Sequence, residues 1–154
     1  MIVVNPYNPA YNSDMVKHIQ IQFQTDTHHR MVDITTRVEE ALDQSGMCEG
    51  MVLIFVIGST GALSTIEYEP GLQSDFPELM QKLIPEELDY QHNKTWGDGN
   101  GHSHLRATLL GPSLTVPVVD GKLVLGTWQQ IVFLEFDNRS RSRRLLVQFL
   151  GETQ

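Results

Sequence analysis

The sequence predicts an α+β fold in a single layered domain. Strand-like patterns predominate along the chain. Two clear helical patterns and a third, shorter one lie ahead of Gly111-Pro112, and everything after that pair reads as a β-meander. A length of 154 residues suits one domain with a sizeable core, and 40% hydrophobic residues is ordinary globular composition.

The elements follow in order. Residues 1–14, rich in Asn, Pro and Tyr, read as an irregular N-terminal arm that can pack on a neighbouring subunit, and residues 15–154 as the domain. From Val16 to Thr25, Ile19, Ile21 and Phe23 alternate with Gln20, Gln22 and Gln24, the period of a half-buried strand with His18 on its polar face. His28-His29-Arg30 read as a surface turn. Asp33 to Gly46 is helical: Asp33 or Thr36 can cap it, Thr36 and Glu39 have capping-box spacing, Ile34, Val38, Ala41 and Leu42 form the apolar face, and Gly46 suits the left-handed C-terminal position.

Gly50–Ile57, continuously apolar, reads as a central strand covered on both faces. Ala62–Glu69 is a further strand, and Pro70-Gly71 breaks the chain. Ser74 then caps a helix running to about Ile84, with Phe76, Leu79, Met80 and Leu83 inward and Pro77 in its first turn. Pro85–Gly101 reads as a long loop, and Leu105–Leu110 as a short helix stopped by Gly111-Pro112. Leu114–Val119 and Lys122–Leu125 flank the hairpin turn Asp120-Gly121. Thr127–Phe136 is a long strand, Asn138–Arg143 a turn, and Leu145–Leu150 the closing strand.

Composition limits the function classes. The formal net charge of −8 argues against non-specific nucleic-acid binding, which needs a positive surface to displace counterions. One cysteine, Cys48, excludes an intrachain disulfide and favours a reducing compartment; ahead of a core strand it reads as a small apolar filler. Met1-Ile2-Val3-Val4 is cut off by Asn5-Pro6, too soon for a signal peptide, and no run approaches a membrane span. A cytoplasmic protein with no nucleic-acid or membrane partner is expected.

Four features carry possible chemistry. His92, His102 and His104, with Asp98 and Asn100 between the first two, offer imidazole and carboxylate donors for a divalent ion; the bland alternative is loop histidines. On a regular helix His102 and His104 diverge by about 200°, so their convergence needs His102 in the preceding loop. Glu67 and Glu69, two apart on a strand, point the same way and suit acid–base work or simply a polar strand face. Gly58-Ser59-Thr60-Gly61, after a buried strand, can cradle an oxyanion or form a plain tight turn. Arg139, Arg141, Arg143 and Arg144 read as a solvated hairpin turn, with an anion site as the alternative, whereas Arg106, tied to the histidine segment, can hold a phosphate or carboxylate through its planar fork.

Asp98-Gly-Asn-Gly-His-Ser-His-Leu-Arg-Ala-Thr-Leu-Leu-Gly-Pro-Ser113 and Leu123-Val-Leu-Gly-Thr-Trp-Gln-Gln-Ile131 resemble the YjbQ-like proteins, also called the secondary thiamine-phosphate synthase family. Asp33-Ile-Thr35, the run from Thr65 to Gly71 and Gly151-Glu152 fit as well, so the resemblance spans roughly residues 15–152. It implies a distorted β-sandwich with two to three helices, assembled as a homotrimer, with histidine-bearing clefts near subunit contacts and often a bound metal. By motif match His92 corresponds to the histidine of a Tyr-x-His segment and His104 to a second family histidine. Asp98 matches an acid between them, and Gln129 lies in the Trp-Gln pair. In one respect the chain departs: Ser59-Thr60-Gly61-Ala62 stands where relatives carry His-Thr-Ser-Ala, so one family histidine is missing, a loss that Glu67 and Glu69 can offset.

The resemblance implies a transferase that joins a pyrimidine diphosphate to a thiazole phosphate, releasing pyrophosphate. His92, His102 and His104 would hold zinc or magnesium. His104, Asp98 and Glu67 would be catalytic, and Ser59, Thr60, Arg106 and Gln129 would meet a phosphorylated small molecule. The alternative is a non-catalytic trimer that binds a metal or a phosphorylated small molecule.

Overall fold

A computed structural model describes residues 16–26 and 31–153. The predicted N-terminal arm and the His28-His29-Arg30 turn lie outside the described residues. The chain forms β1 (Val16–Thr25), β2 (Met31–Asp33), α1 (Thr35–Ser45), β3 (Met47–Val56), β4 (Gly61–Ile66), α2 (Pro70–Leu83), α3 (Gln91–Trp96), α4 (Gly101–Leu110), β5 (Ser113–Val119), β6 (Lys122–Leu123), β7 (Gln130–Glu135) and β8 (Arg141–Thr153). All pairings are antiparallel. One sheet has the order β1-β8-β3-β5-β6 and the other β2-β7-β4. The α+β expectation holds, with four helices among the described residues rather than two to three.

The layers follow from which faces are apolar. The inner face of the five-stranded sheet packs Phe23, Val52, Ile54, Val147 and Phe149 against Ile34, Val38 and Leu42 of the α1 segment and Ile131 and Phe133 of β7. The opposite face of the smaller sheet packs Val132 and Leu134 against Met80 of α2 and Ala107 of α4. β7 is therefore buried on both sides, from Ile131 to Glu135. The sequence assigned that central place to Gly50–Ile57, but β3 has only one covered face: Met51 and Phe55 are 45% and 42% exposed. A continuous apolar run fits a two-sided strand or a strand whose second face waits for something outside the chain, and periodicity alone does not separate them.

Local chemistry explains the element ends. The Asp33 carboxylate accepts from the Thr35 N–H (2.9 Å) and hydroxyl (2.6 Å), so Asp33 serves the start of α1 while Thr36 supplies no cap. Gly46 closes α1 at φ 66°, and Asp120 and Gly121, both at positive φ, turn the β5–β6 hairpin as predicted. The second helix begins earlier than its sequence pattern. Pro70 is its first residue and Glu69 its cap, accepting from the Gly71 and Leu72 N–H groups at 2.7 and 2.5 Å. Pro77 consequently lies inside the helix rather than in its first turn. Of the proposed inward residues Met80 is buried and Phe76 partly so, while Leu79 and Leu83 are exposed. The Pro85–Gly101 segment is not featureless, since α3 occupies its second half. Cys48 is half-buried in β3, its Sγ 3.4 Å from the Glu152 carbonyl.

Charged groups also sit in the core. Glu135 at the end of β7 is fully buried, and Arg143 of β8 is 6% exposed. Arg143 Nε donates to Glu135 Oε2 at 2.7 Å and Nη2 donates to Oε1, while Thr25 of β1 donates to Glu135 at 2.6 Å. The pair bridges the two sheets. Removing one partner leaves an uncompensated buried charge, so Glu135→Ala is expected to cost roughly 3–5 kcal/mol in urea unfolding, whereas Glu39→Ala on the exposed face of α1 shifts the midpoint little.

Candidate functional site

The end of β7 that carries Glu135 continues into Phe136 and Asp137, and three other segments converge on it. The Gly58–Gly61 turn lies alongside, with the Phe136 N–H donating to the Thr60 carbonyl at 3.0 Å and the Thr60 hydroxyl donating to Asp137 Oδ2 at 3.0 Å. The start of β8 brings Arg141, whose Nε donates to Asp137 Oδ2 at 2.7 Å. The α3–α4 connection brings Asp98, whose carbonyl accepts from the Asn138 amide at 2.9 Å.

That connection is compact because glycines permit it. Gly97 and Gly99 adopt positive φ, and a Cβ on Gly101 would stand 2.6 Å from Tyr90 Cβ, so α4 can dock on Tyr90 only with glycine there. Asn93 further fixes the start of α4 by accepting from the Gly101 N–H at 2.9 Å. His92 of α3 and His104 of α4 then meet, with ring centroids 4.4 Å apart. Between them and Asp98 lies the buried Asn100. With its NH2 group turned toward the acid it reaches both Asp98 oxygens at 3.0 and 3.1 Å and His92 Nε2 at 3.1 Å. In that arrangement His92 accepts at Nε2 and carries its proton on Nδ1. His104 is half-buried, and its pKa lies below the ordinary 6.5: burial is the main cause and the neighbouring His92 adds to it, against the opposing pull of Asp98 and Asp137. Burial alone raises Asp137, but the hydrogen bonds from Arg141 and Thr60, the Arg141 charge and the Asn138 N–H outweigh it and hold that carboxyl low. The His104 ring thus lies in the field of an ionised, buried carboxylate.

The other proposed residues stand elsewhere. His102 shares α4 with His104 but not its face, because α4 begins at Gly101 and both histidines are helical. His102 points inward, its Nε2 3.2 Å from the Ser103 hydroxyl and 3.9 Å from Glu86 Oε1. The set His92, His102 and His104 therefore does not converge. Among the described residues no group of three or more His, Cys, Asp or Glu side chains is placed to hold a metal ion. The residues present do not fit zinc or magnesium in this arrangement.

Arg106, also on the inward face, is committed. Its Nε and Nη2 donate to the Ile84 carbonyl at 3.0 and 2.7 Å, Nη2 also to Gln81 at 2.9 Å, and Nη1 to Glu86 at 3.1 Å. It pins the end of α2 to α4 instead of gripping phosphate. The 430 Å³ cleft that it lines with Phe76, Met80 and Phe136 also carries Glu78, Glu86 and Glu87, an unsuitable rim for an anion.

Glu67 and Glu69 do not form a pair on a strand, since β4 ends at Ile66 and Glu69 is spent capping α2. Gln129 donates to Thr65 at 2.9 Å and accepts from the Gly126 N–H at 3.0 Å. Glu67 and Gln129 flank the start of β7, about 25 Å of strand away from Asp137. Within one chain they share no site with His104. Of the Gly58–Gly61 turn, Ser59 is exposed and Thr60 buried, its hydroxyl held by Asp137 and Arg143. Sequence reading missed Glu135 and Asp137, and took Arg141 and Arg143 for a solvated turn or an anion site without the acids that hold them. The available signal was two acids spaced by two inside Ile-Val-Phe-Leu-Glu-Phe-Asp, followed by two arginines spaced by two: buried carboxylates require partners.

Comparison with known proteins matches residues 19–152 to a family model described as UPF0047 protein YjbQ-like. A UPF0047 protein of Archaeoglobus fulgidus is 42% identical over 132 residues, covering 86% of this chain and all of the relative. One from Methanothermobacter thermautotrophicus is 39% identical over 133 residues, covering 86% of this chain and 91% of the relative. Among solved structures, a YbjQ-like protein of unknown function from Sulfolobus solfataricus P2 superposes with a TM-score of 0.80 at 37% identity, covering 89% of this chain and 99% of that one. A hypothetical protein from Aeropyrum pernix K1 gives 0.77 at 37% identity, covering 87% and 99%.

The imidazole pair has a direct signature. In an NMR titration the His104 ring is expected to titrate below 6.5, and His92→Ala to move its pKa upward, because the mutation removes the neighbouring imidazole that lowers it.

Proposed function

The chain belongs to the UPF0047 YjbQ-like family, and from that premise we propose that it is a transferase acting on a phosphorylated small molecule, with His104 as its proton-transferring group. The observation that carries this reading is the His92–His104 contact at 4.4 Å in a half-buried place: burial first and His92 second lower the His104 pKa, so the ring holds its proton loosely and can give it up. Asp98 and Asn100 orient His92, and His92 in turn sets the environment of His104. The ionised Asp137 favours the imidazolium that forms when His104 takes up a proton. Asp98 is thus a positioning residue. The reaction implied by the sequence resemblance, union of a pyrimidine diphosphate with a thiazole phosphate and release of pyrophosphate, is the substrate pair this reading puts first; the thiazole nitrogen attacks through its lone pair and frees no proton, so His104 gives its proton to the departing pyrophosphate.

The proposal extends to assembly and place. Met51 and Phe55 of β3 and Leu150 of β8 lie on the uncovered face of the five-stranded sheet, with Pro117 of β5 beside Met51. Such a face in water favours association, and a homotrimer in the cytoplasm is the assembly proposed here. Among the described residues no helix is long and apolar enough to cross a membrane.

Two outcomes follow. In an assay of thiamine phosphate and pyrophosphate formation, His104→Ala is expected to lose at least about a hundredfold in rate, and the wild-type rate to fall as the pH rises above the His104 pKa, where the ring has lost the proton it gives to the leaving group. Product formation unchanged in His104→Ala removes the assignment; ligand binding without turnover in the wild type leaves the chain a binding protein. Phe55→Asp is expected to convert the assembly to monomer in analytical ultracentrifugation, with α4 and its histidines still folded by NMR.

A further inference from the structure

Two of the four arginines in the Asn138–Arg144 segment are not free surface side chains. Arg141 and Arg143 alternate along β8, and each is held through Nε by a buried carboxylate: Asp137 at 2.7 Å for Arg141, Glu135 at 2.7 Å for Arg143. A guanidinium fixed at Nε presents its terminal nitrogens in a set direction. Among the described residues, neither terminal nitrogen of Arg141 has a hydrogen-bond partner, and its side chain is one-third exposed. On Arg143, Nη2 is used by Thr60 and Glu135, while Nη1 has no partner among the described residues although the residue is 6% exposed. Nη1 lies directly beneath the Gly58–Gly61 turn, where a Cβ on Gly58 would stand 3.3 Å from it.

The turn supplies a second, independent observation. Among the described residues the backbone N–H groups of Gly58, Ser59 and Thr60 donate to no acceptor. Consecutive N–H groups without acceptors, at a bend beside a guanidinium with an unused edge, make an anion-binding concavity. The two acids beneath neutralise the two arginines. The exposed Arg139 and Arg144 leave the rim cationic on a chain whose net charge is −8.

We propose that Arg141, Arg143 and the Gly58-Ser59-Thr60 backbone form an oxyanion subsite that takes a phosphate or diphosphate group. The subsite deepens the functional reading above and rests on it for one point, that the anion belongs to the substrate handled by His104. Asp137 touches both halves of that arrangement, through its bond to Arg141 and through its pull on His104. Arg141 and Ser59 contact the anion at the surface, and Arg143 Nη1 reaches it from below. The role given to Arg106 in the sequence reading passes to this pair, because Arg106 has spent its donors on Ile84, Gln81 and Glu86.

The test is calorimetric titration of the full chain with inorganic pyrophosphate at about 0.15 M salt, where diffuse surface charge is largely screened. Arg141→Gln is expected to weaken binding about tenfold or more, as loss of a two-pronged charged donor does. Gly58→Ala, which keeps every charge and crowds Nη1, is expected to weaken it severalfold with an unchanged melting temperature. Arg139→Gln, an exposed neighbour, is expected to change it less than about twofold. No pyrophosphate binding by the wild type, or equal losses in Arg139→Gln and Arg141→Gln, overturns the subsite. His104→Ala separates the two proposals: it should bind pyrophosphate as the wild type does and turn over nothing. Retained turnover in that variant sinks the histidine assignment while Arg141-dependent binding still upholds the subsite.

Discussion

The buried pair Glu135–Arg143 is the constraint on which the rest of this structure leans. Glu135 closes β7 in the three-stranded sheet, Arg143 opens β8 in the five-stranded one, and Thr25 and Thr60 complete the bonds from β1 and the β3–β4 turn. Four segments, from three well-separated stretches of the chain, are therefore fixed at one end of the sandwich. A charge pair at this depth is a poor source of net stability, since desolvation offsets most of the attraction. Its effect is positional: any arrangement that separates the two sheets at this end strands a charge in the core. The candidate site is built on this fixed end, with Asp137 two residues beyond Glu135 and Arg141 two residues before Arg143.

Helix geometry sorts the histidine segment in a way its spacing does not show. Because α4 starts at Gly101, His102 and His104 leave it on opposite sides. His104 meets His92 and faces the end of β7; His102 and Arg106, one turn apart, face α2 and lock the Pro85 region down. One short helix thus divides its polar residues between a site and a structural clamp. The same segment read as a strand would have put both histidines together.

The five-stranded sheet shows a parallel division. Its inner face is closed by α1 and β7, while its outer face leaves Met51 and Phe55 in water. That apolar surface lies on the side of β3 away from the smaller sheet. Glu67 and Gln129 gather at the far end of β7 from His104, so within one chain the residues matched to the family's motifs fall into separate places.

Much of the fold was legible in the sequence. Alternation gave β1, the apolar spacing and Gly46 gave α1, and Asp120-Gly121 gave the β5–β6 hairpin, because each is encoded by neighbours a few residues apart. The family was legible too, from contiguous motifs around His104 and Gln129. Tertiary structure alone decided which strand is buried twice, that Pro70 and Glu69 start α2 instead of ending a strand, and which histidines face each other. It also turned a stretch that reads as a solvated arginine turn into two anchored guanidiniums. The physical reason is common to all of these. Burial, pKa and hydrogen-bond partners depend on groups brought from distant parts of the chain, and local periodicity carries no information about which charge will find its partner in the core.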